Sequence, residues 1–402
     1  LDPKLENTGK RPEEENTSTS RRDRNFQIAS TFQDIVTVVI LVAGSGRRFR
    51  DENPKCLSTV KGGTLLERTI GLIREIDDSV PIRLVTGYKS SSIEELLEGM
   101  DVEGVTVIKN LEYENDQNII SAQRGSSEVD SDVLILEGDC IFNEVSMEAF
   151  ISSIGSNKNT IFSIGDVDLN RKNAVVKSDE NGNFAGFTMG ERTPGMDLSR
   201  WSNMSGAVLF SERDLTHINN WLDKSGADPA KTYYFQPLIE GELEVKITRL
   251  GDEAEFSTFN TQKQYLEIMA EMGVETEIKL VETEKLLHVE GFSEKRVLWL
   301  RNKIEEDGVW NKPICIDYEF GIVMDGQHRM EVAKAMGLTV IPAIGFTHSE
   351  VNFWSLRPKS HEVTLELIMS KSLSGDVYPY KTVKYSFPTE IPECSIDLEE
   401  LY

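Results

Sequence analysis

Cysteine and histidine are scarce in this 402-residue sequence, and basic residues are outnumbered by acidic ones. The four cysteines, Cys56, Cys140, Cys315 and Cys394, lie far apart and form no C-x-x-C pair, which argues against a zinc site or a disulfide framework. The net charge of -25 leaves no broad basic face for the backbone of DNA or RNA. No apolar run approaches the roughly 20 residues of a membrane helix. We therefore expect a globular protein that binds neither nucleic acid nor membrane.

The length of the chain predicts more than one domain, because single hydrophobic cores rarely grow to this size. Residues 1–33 are rich in charge, Ser, Thr and Asn and lack the apolar core of a secretory signal. They are predicted to be a disordered tail, and the protein is expected to be cytoplasmic. The pattern of strands and helices restarts after an acidic stretch near residue 275. We expect domains at 34–275 and 276–402.

From Ile35 to Asp139, short apolar runs alternate with segments whose apolar residues recur at helical spacing. This alternation is typical of a doubly wound sheet with right-handed crossovers. The predicted strands are Ile35–Val42, Ile82–Thr86, Val105–Lys109 and Val133–Glu137, with helices at Thr64–Ile76 and Ser91–Met100. Later apolar runs flank the turn DENGN, which predicts a hairpin. The predicted fold class is α/β, a Rossmann-like domain with a mostly parallel sheet followed by a smaller α+β domain.

A glycine-rich turn follows the first predicted strand in the segment LVAGSGRRF. The turn comprises Ala43, Gly44, Ser45 and Gly46. Its glycines allow backbone N–H groups to approach a phosphate, and Arg48 and Lys55 add positive charge beside it. Open α/β sheets bind ligands at this end of parallel strands. We expect triphosphate binding here, although the glycine pattern alone is also compatible with an ordinary turn.

The complete string resembles the signature of the sugar nucleotidyltransferases, L-A-A-G-x-G-x-R-F followed by P-K-x-L. Val42 replaces the first alanine, and PKCL contains Lys55. The resemblance covers about residues 35–270 and implies transfer of a nucleotidyl group to an acceptor phosphate. Two anions must meet in that reaction, so Arg48 and Lys55 are expected to offset their repulsion as catalytic residues.

Three later segments agree with this resemblance in their order along the chain. LILEGD resembles the family's strand that ends in a Mg²⁺ ligand, which implies Asp139. EFSTFNTQKQYLEI resembles the segment with the second ligand, which implies Asn260, with Glu255 as the competing carboxylate. NLEYENDQNIISAQRG resembles the choline-phosphate cytidylyltransferase branch and implies that Asn118 and Ser121 contact cytosine.

A second turn lies in GIVMDGQHRMEVAKAMG. An apolar strand ends at Met324, Asp325 and Gly326 form the turn, and apolar residues then recur at helical spacing. Backbone N–H groups at a helix start favour phosphate, and Arg329 adds a fork-shaped donor. The pattern therefore predicts a phosphate site, but it leaves open an ordinary turn in which Asp325 caps the helix and His328 is packed.

This string resembles the D-G-H-H-R motif of the ParB/sulfiredoxin-like free serine kinases, with Gln327 replacing the first histidine. The resemblance covers about residues 280–390 and includes YPYKT, similar to the family's late P-x-K-T segment. It implies that Asp325 helps to hold Mg²⁺ and that Glu290, close to His288, is the catalytic base. The residues implied in nucleotide binding are Gly326, Gln327, His328 and Arg329.

Together the two resemblances imply consecutive reactions. The C-terminal domain would phosphorylate free L-serine with ATP or ADP, and the N-terminal domain would transfer CMP from CTP to O-phosphoserine, giving a CDP-serine-like product and pyrophosphate. Mg²⁺ is the expected cofactor, and a homodimer is compatible with the sequence. The alternatives are another acceptor (phosphocholine, an inositol phosphate, a phosphonate or a sugar phosphate) and a CTP-binding, ParB-like regulatory protein.

Overall fold

The computed structural model describes residues 36–49, 53–100, 102–167, 173–189 and 197–402, so the predicted tail at residues 1–33 lies outside the described residues. The strands up to residue 258 are β1 (Val36–Val42), β2 (Thr59–Val60), β3 (Gly63–Thr64), β4 (Ile82–Thr86), β5 (Val105–Lys109), β6 (Asp132–Glu137), β7 (Cys140–Phe142), β8 (Asn159–Ile164), β9 (Ala174–Ser178), β10 (Phe184–Met189), β11 (Trp201–Phe210), β12 (Val245–Arg249) and β13 (Phe256–Thr258). The α-helices up to residue 271 are α1 (Leu65–Ile76), α2 (Ser90–Met100), α3 (Ile119–Ser126), α4 (Glu144–Ser152), α5 (Leu215–Asn219), α6 (Trp221–Ser225), α7 (Gln236–Glu240) and α8 (Gln262–Glu271).

Nine strands of the described chain form the first sheet, in the order β10-β9-β11-β6-β1-β4-β5, with β8 beside β11 and β12 beside β8. Strands β6, β1, β4 and β5 run parallel to one another, which confirms the predicted crossover-connected half. Strands β9 and β10 form the predicted hairpin. Strand β11 runs antiparallel to β6, β8 and β9. The sheet is therefore mixed, and its parallel pairs are those from β6 to β5 and the pair of β8 with β12.

Local sequence explains the elements that lead to the first glycine turn. Val38, Val39 and Ile40 in β1 are fully buried, as expected for a central parallel strand covered on both faces. Helix α1 begins with a capping box, in which the Thr64 hydroxyl accepts from the Glu67 N–H and the Glu67 carboxylate accepts from the Thr64 N–H. These signals are local, and the predicted bounds of both elements agree with the structure within one residue.

A second sheet follows in the C-terminal part, in the order β14-β19-β17-β18-β15. The strands of this part are β14 (Lys279–Glu282), β15 (Leu287–His288), β16 (Val309–Trp310), β17 (Ile314–Asp317), β18 (Ile322–Asp325), β19 (Val340–Phe346), β20 (Asn352–Ser355), β21 (Val383–Ser386) and β22 (Ile396–Asp397). Its α-helices are α9 (Glu294–Asp307), α10 (Gln327–Met336) and α11 (Leu365–Ser374). This part combines helices with a sheet that contains both parallel and antiparallel strand pairs. This agrees with the predicted α+β class but does not establish a ParB/sulfiredoxin-like fold.

Helix α8 contacts both parts of the chain. Leu266 belongs to the hydrophobic core of the second sheet. The ring of Tyr265 packs 5.9 Å from that of Phe49, and the Tyr265 hydroxyl donates to Thr59 O at 2.8 Å. The boundary predicted near residue 275 falls between α8 and β14 and stays a prediction. Among the described residues, we find no helix with both the length and the apolar character that a membrane crossing requires.

Candidate active site

The turn after β1 is closed by a buried aromatic anchor. Phe49 is buried, its ring lies 5.2 Å from that of Phe259, and its N–H donates to Gly46 O at 2.7 Å. Gly46 has φ +57°, and a Cβ there would lie 3.2 Å from Lys55 Cγ, so glycine relieves both the backbone strain and the crowding. With Phe49 buried, the adjacent Arg48 stays at the surface of the turn.

Lys55 contacts both residues that were predicted to hold a metal, Asp139 and Asn260. It lies in a short 3-10 helix, and its ammonium group donates to Asp139 Oδ2 at 2.7 Å, to Asn260 Oδ1 at 3.1 Å and to Phe259 O at 3.2 Å. Arg48 Nη2 donates to the same Asn260 oxygen at 3.0 Å. Four predicted residues, as much as 212 positions apart, therefore meet at one point.

The oxygens at this point fit a hard divalent cation. Mg²⁺ prefers carboxylate and carbonyl oxygens, and those of Asp139 and Asn260 already converge on one cation, the Lys55 ammonium. Glu137, Asp139 and Cys140 also bring ligand-type atoms within 4.8 Å of one another. Burial, followed by the charge of Glu137, raises the pKa of the Cys140 thiol well above its usual value. A thiol that stays protonated is a poor ligand, so the usable donors are oxygens.

Glu137 is a site residue that the sequence reasoning missed. It ends β6, two residues before Asp139 in the following turn, and both side chains line the same cavity. Burial, followed by the charge of Asp139, raises the pKa of Glu137 to about 7. Burial, followed by the charge of Glu137, also raises the pKa of Tyr234. The spacing of the two carboxylates in LILEGD is the signal that could have found Glu137.

The two residues predicted to contact cytosine have different surroundings. Asn118 precedes α3, and its Oδ1 accepts from the Tyr234 N–H at 2.8 Å, so its NH₂ group is the part that can address a ligand. Ser121 is buried, and its hydroxyl donates to Asp116 Oδ2 at 2.7 Å and contacts Asn110 Nδ2 at 2.9 Å. Ser121 therefore holds Asp116 in place, whereas Asn118 can contact a base.

The glycine turn, the residues around Lys55 and the start of α3 line one cavity of about 690 Å³, a size typical of small-molecule sites. The predicted residues on its wall are Ala43, Gly44, Ser45, Gly46, Arg48, Lys55, Asn118, Ser121, Asp139 and Asn260. Residues missed from sequence include Gln117, Glu137, Met204, Tyr233 and Phe235. Glu255 does not line the cavity, and its N–H donates to Asn143 Oδ1 at 3.1 Å. This geometry favours Asn260 over Glu255 as the second oxygen donor.

Residues 38–226 match the family of MobA-like NTP transferase domains. The N-terminal part of the chain is a MobA-like NTP transferase domain. The match supports nucleotidyltransferase activity. A bifunctional protein GlmU from Saccharophagus degradans is 21% identical over 240 residues, which are 58% of this chain and 51% of that protein. The chain thus matches about half of this relative's length.

Two solved cytidylyltransferase structures resemble the NTP transferase domain. One is a CTP:phosphocholine cytidylyltransferase from Streptococcus pneumoniae, with 19% identity and a TM-score of 0.49, which covers 59% of this chain and 99% of that one. The other is an inositol-1-phosphate CTP transferase from T. maritima, with 17% identity and a TM-score of 0.45, which covers 60% of this chain and 98% of that one. The ParB/sulfiredoxin-like assignment of the C-terminal part stays a prediction.

Beyond the NTP transferase domain, the second predicted turn joins β18 to α10. Gly326 has φ +102°, and a Cβ there would lie 2.5 Å from Ile314 Cγ2, so only glycine fits. Helix α10 then begins at Gln327, where backbone N–H groups favour an anion. His328 Nε2 accepts from the Ser293 N–H at 3.1 Å, which leaves Nδ1 as the protonated nitrogen that can donate to a ligand. Burial, followed by the charge of Arg296, lowers the pKa of His328.

The Gln327 side chain is held inside the protein. Its amide nitrogen donates to Val323 O, and its Oε1 lies 2.7 Å from His288 Nδ1. His288 Nε2 in turn lies 2.7 Å from Glu331 Oε1. Because the amide and the imidazole hold each other, a nucleotide contact from Gln327 would come from its backbone N–H rather than from its side chain.

Glu290, the predicted base, lies against a loop more than ninety positions later in the chain. Its Oε2 accepts from the N–H groups of Thr382 at 2.7 Å and Val383 at 2.9 Å, and its Oε1 accepts from the Lys381 N–H at 3.2 Å. Lys381 has φ +60°, and such a turn presents successive N–H groups to one anion. A carboxylate has about four acceptor positions, so one on Oε1 remains for a substrate hydroxyl.

Glu290 and the turn that joins β18 to α10 line a second cavity of about 1010 Å³. Its basic residues are Arg296, Lys303, Arg329, Lys381 and Lys384, and its acidic residues are Glu290, Asp307 and Asp325. The predicted Gly326, Gln327 and His328 also lie on this wall. Five cations against three carboxylates make the cavity locally positive on a chain whose net charge is -25. This contrast favours a polyanionic ligand.

Proposed function

We propose that the NTP transferase domain transfers a cytidylyl group from CTP to the phosphate of a small molecule. The observation that carries this proposal is the convergence of Asp139, Asn260, Lys55 and Arg48 beside the glycine turn at residues 44–46. Such a constellation combines N–H donors for a triphosphate with cations and with oxygen donors for a metal.

The chemistry follows from the charges that must be brought together. An oxygen of the acceptor phosphate attacks the α-phosphorus of CTP, and the bond between this phosphorus and the bridging oxygen breaks to release pyrophosphate. Arg48 and Lys55 offset the repulsion between the two anions and stabilise the charge that develops on the departing group. Asp139 and Asn260 would hold Mg²⁺, which adds positive charge at the phosphates when it is bound.

The choice of cytidine rests on the segment around α3. Asn118 can donate from its NH₂ group to the ring acceptors of a pyrimidine, because Tyr234 already holds its Oδ1. The similarity of this segment to the cytidylyltransferase branch points in the same direction. CTP is therefore proposed over the other triphosphates.

The C-terminal part is proposed to phosphorylate the hydroxyl of free L-serine with ATP or ADP. The serine oxygen would attack the terminal phosphorus of the donor, the bond to the remaining nucleotide would break, and Glu290 would accept the hydroxyl proton on Oε1. Asp325 would hold Mg²⁺, and the start of α10 with His328 and Arg329 would bind phosphates. The product, O-phosphoserine, would then be the acceptor for the NTP transferase domain, giving a CDP-serine-like compound.

Pyrophosphate release tests the first reaction. The 402-residue protein is incubated with Mg²⁺ and each of the four ribonucleoside triphosphates, with O-phosphoserine, phosphocholine, an inositol phosphate, a phosphonate or a sugar phosphate as acceptor. We expect release only with an acceptor present, fastest with CTP and O-phosphoserine. Pyrophosphate release with CTP and another acceptor would support the cytidylyltransferase activity but exclude O-phosphoserine as the substrate. CTP binding without release for any acceptor would instead support a regulatory protein.

Phosphorylation of radiolabelled L-serine tests the second reaction. Wild type should form O-phosphoserine with ATP or ADP, and Glu290→Gln should abolish it, because the amide keeps its shape but cannot accept the proton. The control is Glu294→Gln, an exposed residue at the start of α9 that does not line the cavity. Unchanged turnover in Glu290→Gln would exclude Glu290 as the catalytic base. If wild type does not phosphorylate L-serine with either donor, the proposed kinase activity is wrong.

A further inference from the structure

One face of helix α9 forms a wall of the C-terminal cavity. The residues that α9 contributes to the lining are Arg296, Trp299, Leu300, Lys303, Ile304 and Asp307, whose spacing of three and one follows the helical period. Of the fourteen residues in α9, Ile304 is the one that is buried. The helix therefore presents a long, poorly covered face to the cavity.

Trp299 is the most distinctive residue on this face. Its side chain is 58% exposed although it lines a cavity, and Lys303 Nζ lies 6.0 Å from the centroid of its ring. A large flat ring that packs against little of its own protein offers a stacking surface to another flat ring. The nearby ammonium group adds the positive charge that an anionic ligand requires.

The start of α9 is tied directly to the proposed phosphate site. Ser293, the residue that caps α9, donates its N–H to His328 in the first turn of α10. With a rise of about 1.5 Å per residue, Trp299 lies about 9 Å along α9 from this contact. This is the kind of separation that a ribose bridges between the phosphates and the base of a nucleotide.

We propose that Trp299 is the base-stacking surface for a nucleoside polyphosphate whose phosphates bind at the start of α10. This inference rests on the proposed phosphate site of the C-terminal part and adds the residue that recognises the nucleoside. Stacking is sequence-tolerant, because every base has a flat face. Trp299 therefore recognises the class of ligand, a nucleoside carrying several phosphates, rather than one particular base.

Calorimetric titration with two probes tests this subsite. The 402-residue protein carries Lys55→Met, which weakens nucleotide binding in the NTP transferase domain, and is titrated with ADP and with inorganic tripolyphosphate. Trp299→Ala should weaken ADP binding by about tenfold to hundredfold, since loss of one stacking contact removes roughly 1–3 kcal/mol. Binding of tripolyphosphate should not change, because this probe has no ring.

Three further variants complete the design. Trp299→Phe should keep most of the ADP affinity, whereas Arg329→Gln should weaken both probes. Leu298→Ala changes an exposed neighbour on the same helix that is absent from the cavity wall, and it should change neither. If both probes bind but Trp299→Ala has no effect on ADP, the stacking proposal is wrong while the phosphate site stands. If neither probe binds the parent protein, the proposed function of this part fails and the stacking proposal with it.

Discussion

The cavity of the NTP transferase domain and the C-terminal cavity each contain a glycine turn that follows a buried strand, but the side chains that they hold in place carry opposite charges. In the NTP transferase domain, the Lys55 ammonium lies on the oxygens of Asp139 and Asn260. In the C-terminal cavity, the Glu290 carboxylate lies on three backbone N–H groups of residues 381–383. The first arrangement keeps oxygen donors aligned for a cation, and the second keeps N–H donors aligned around an anion. The two cavities therefore differ in the sign of the charged side chain that each holds in place.

Removal of the Asp139 charge should have the largest effect and should affect the first cavity alone. Asp139→Asn removes the carboxylate that the metal and Lys55 both need, so pyrophosphate release should fall by about 10³-fold. ADP binding to the C-terminal cavity should remain at the wild-type value. Glu255→Gln is the matched control, since Glu255 lies outside the cavity, and it should retain full release. An equal loss in both variants would show that acidity in general, rather than this position, matters.

Removal of the Lys55 charge should have the next largest effect. Lys55→Met keeps the aliphatic stem against Gly46 but removes the ammonium group, so release should fall by about 10²-fold. Lys61→Met serves as the control, because Lys61 is exposed and does not line the cavity. Steady-state rates with CTP and the best acceptor measure both. Wild-type rates in Lys55→Met would contradict a catalytic role for this lysine.

The second turn is tested through stability. Gly326→Ala adds a Cβ 2.5 Å from Ile314 Cγ2 at a φ of +102°, and it should destabilise the C-terminal part by about 2 kcal/mol or more. Gly337→Ala, at the end of the same helix, has φ +74° and no atom within 4 Å of the new Cβ, so it should cost only about 1 kcal/mol. Urea unfolding of wild type and both variants measures the change in the free energy of unfolding that each substitution causes. Equal losses would show that backbone strain alone, without the contact to Ile314, sets the effect.

The smallest expected effect is a pH dependence that belongs to the C-terminal cavity. Burial lowers the pKa of His328 below its usual value of 6.5, so its contribution to stability is complete above pH 6.5 and is lost as the pH falls through the lowered pKa. Protonation of Nε2 would also break the bond from the Ser293 N–H. Wild type should therefore lose more unfolding free energy between pH 7.5 and 5.5 than His328→Asn, which cannot titrate there. Identical losses would exclude His328 as the source.

Much of the fold and of the first site could be predicted from local features of the sequence. Strand β1 and helix α1 were predictable because burial on both faces and a capping box leave marks within a few residues. The antiparallel pairing of β11 was not, because it depends on which distant strand completes the sheet. The meeting of Lys55 with Asp139 followed from a resemblance, since neither residue alone specifies the other.

The remaining site residues depend on contacts across the chain. Glu290 was predicted as a base, but its three bonds to the loop at 381–383 could not be read from residues so far apart. An amide can donate or accept, so the sequence did not show that the Gln327 side chain faces His288 rather than a ligand. Glu137 was missed although its spacing from Asp139 was visible.

Phosphorus NMR of the nucleotidyl transfer itself tests the central claim most directly. CTP and Mg²⁺ are incubated with wild type and with Asp139→Asn, first with O-phosphoserine and then with each of the other acceptors in its place. The account predicts that with wild type the phosphomonoester signal of the acceptor is replaced by the two coupled signals of a diphosphate diester, in step with the appearance of pyrophosphate. With Asp139→Asn the spectrum should barely change over the same time. If wild type leaves CTP and every phosphorylated acceptor unchanged, the NTP transferase domain does not perform the reaction proposed for it.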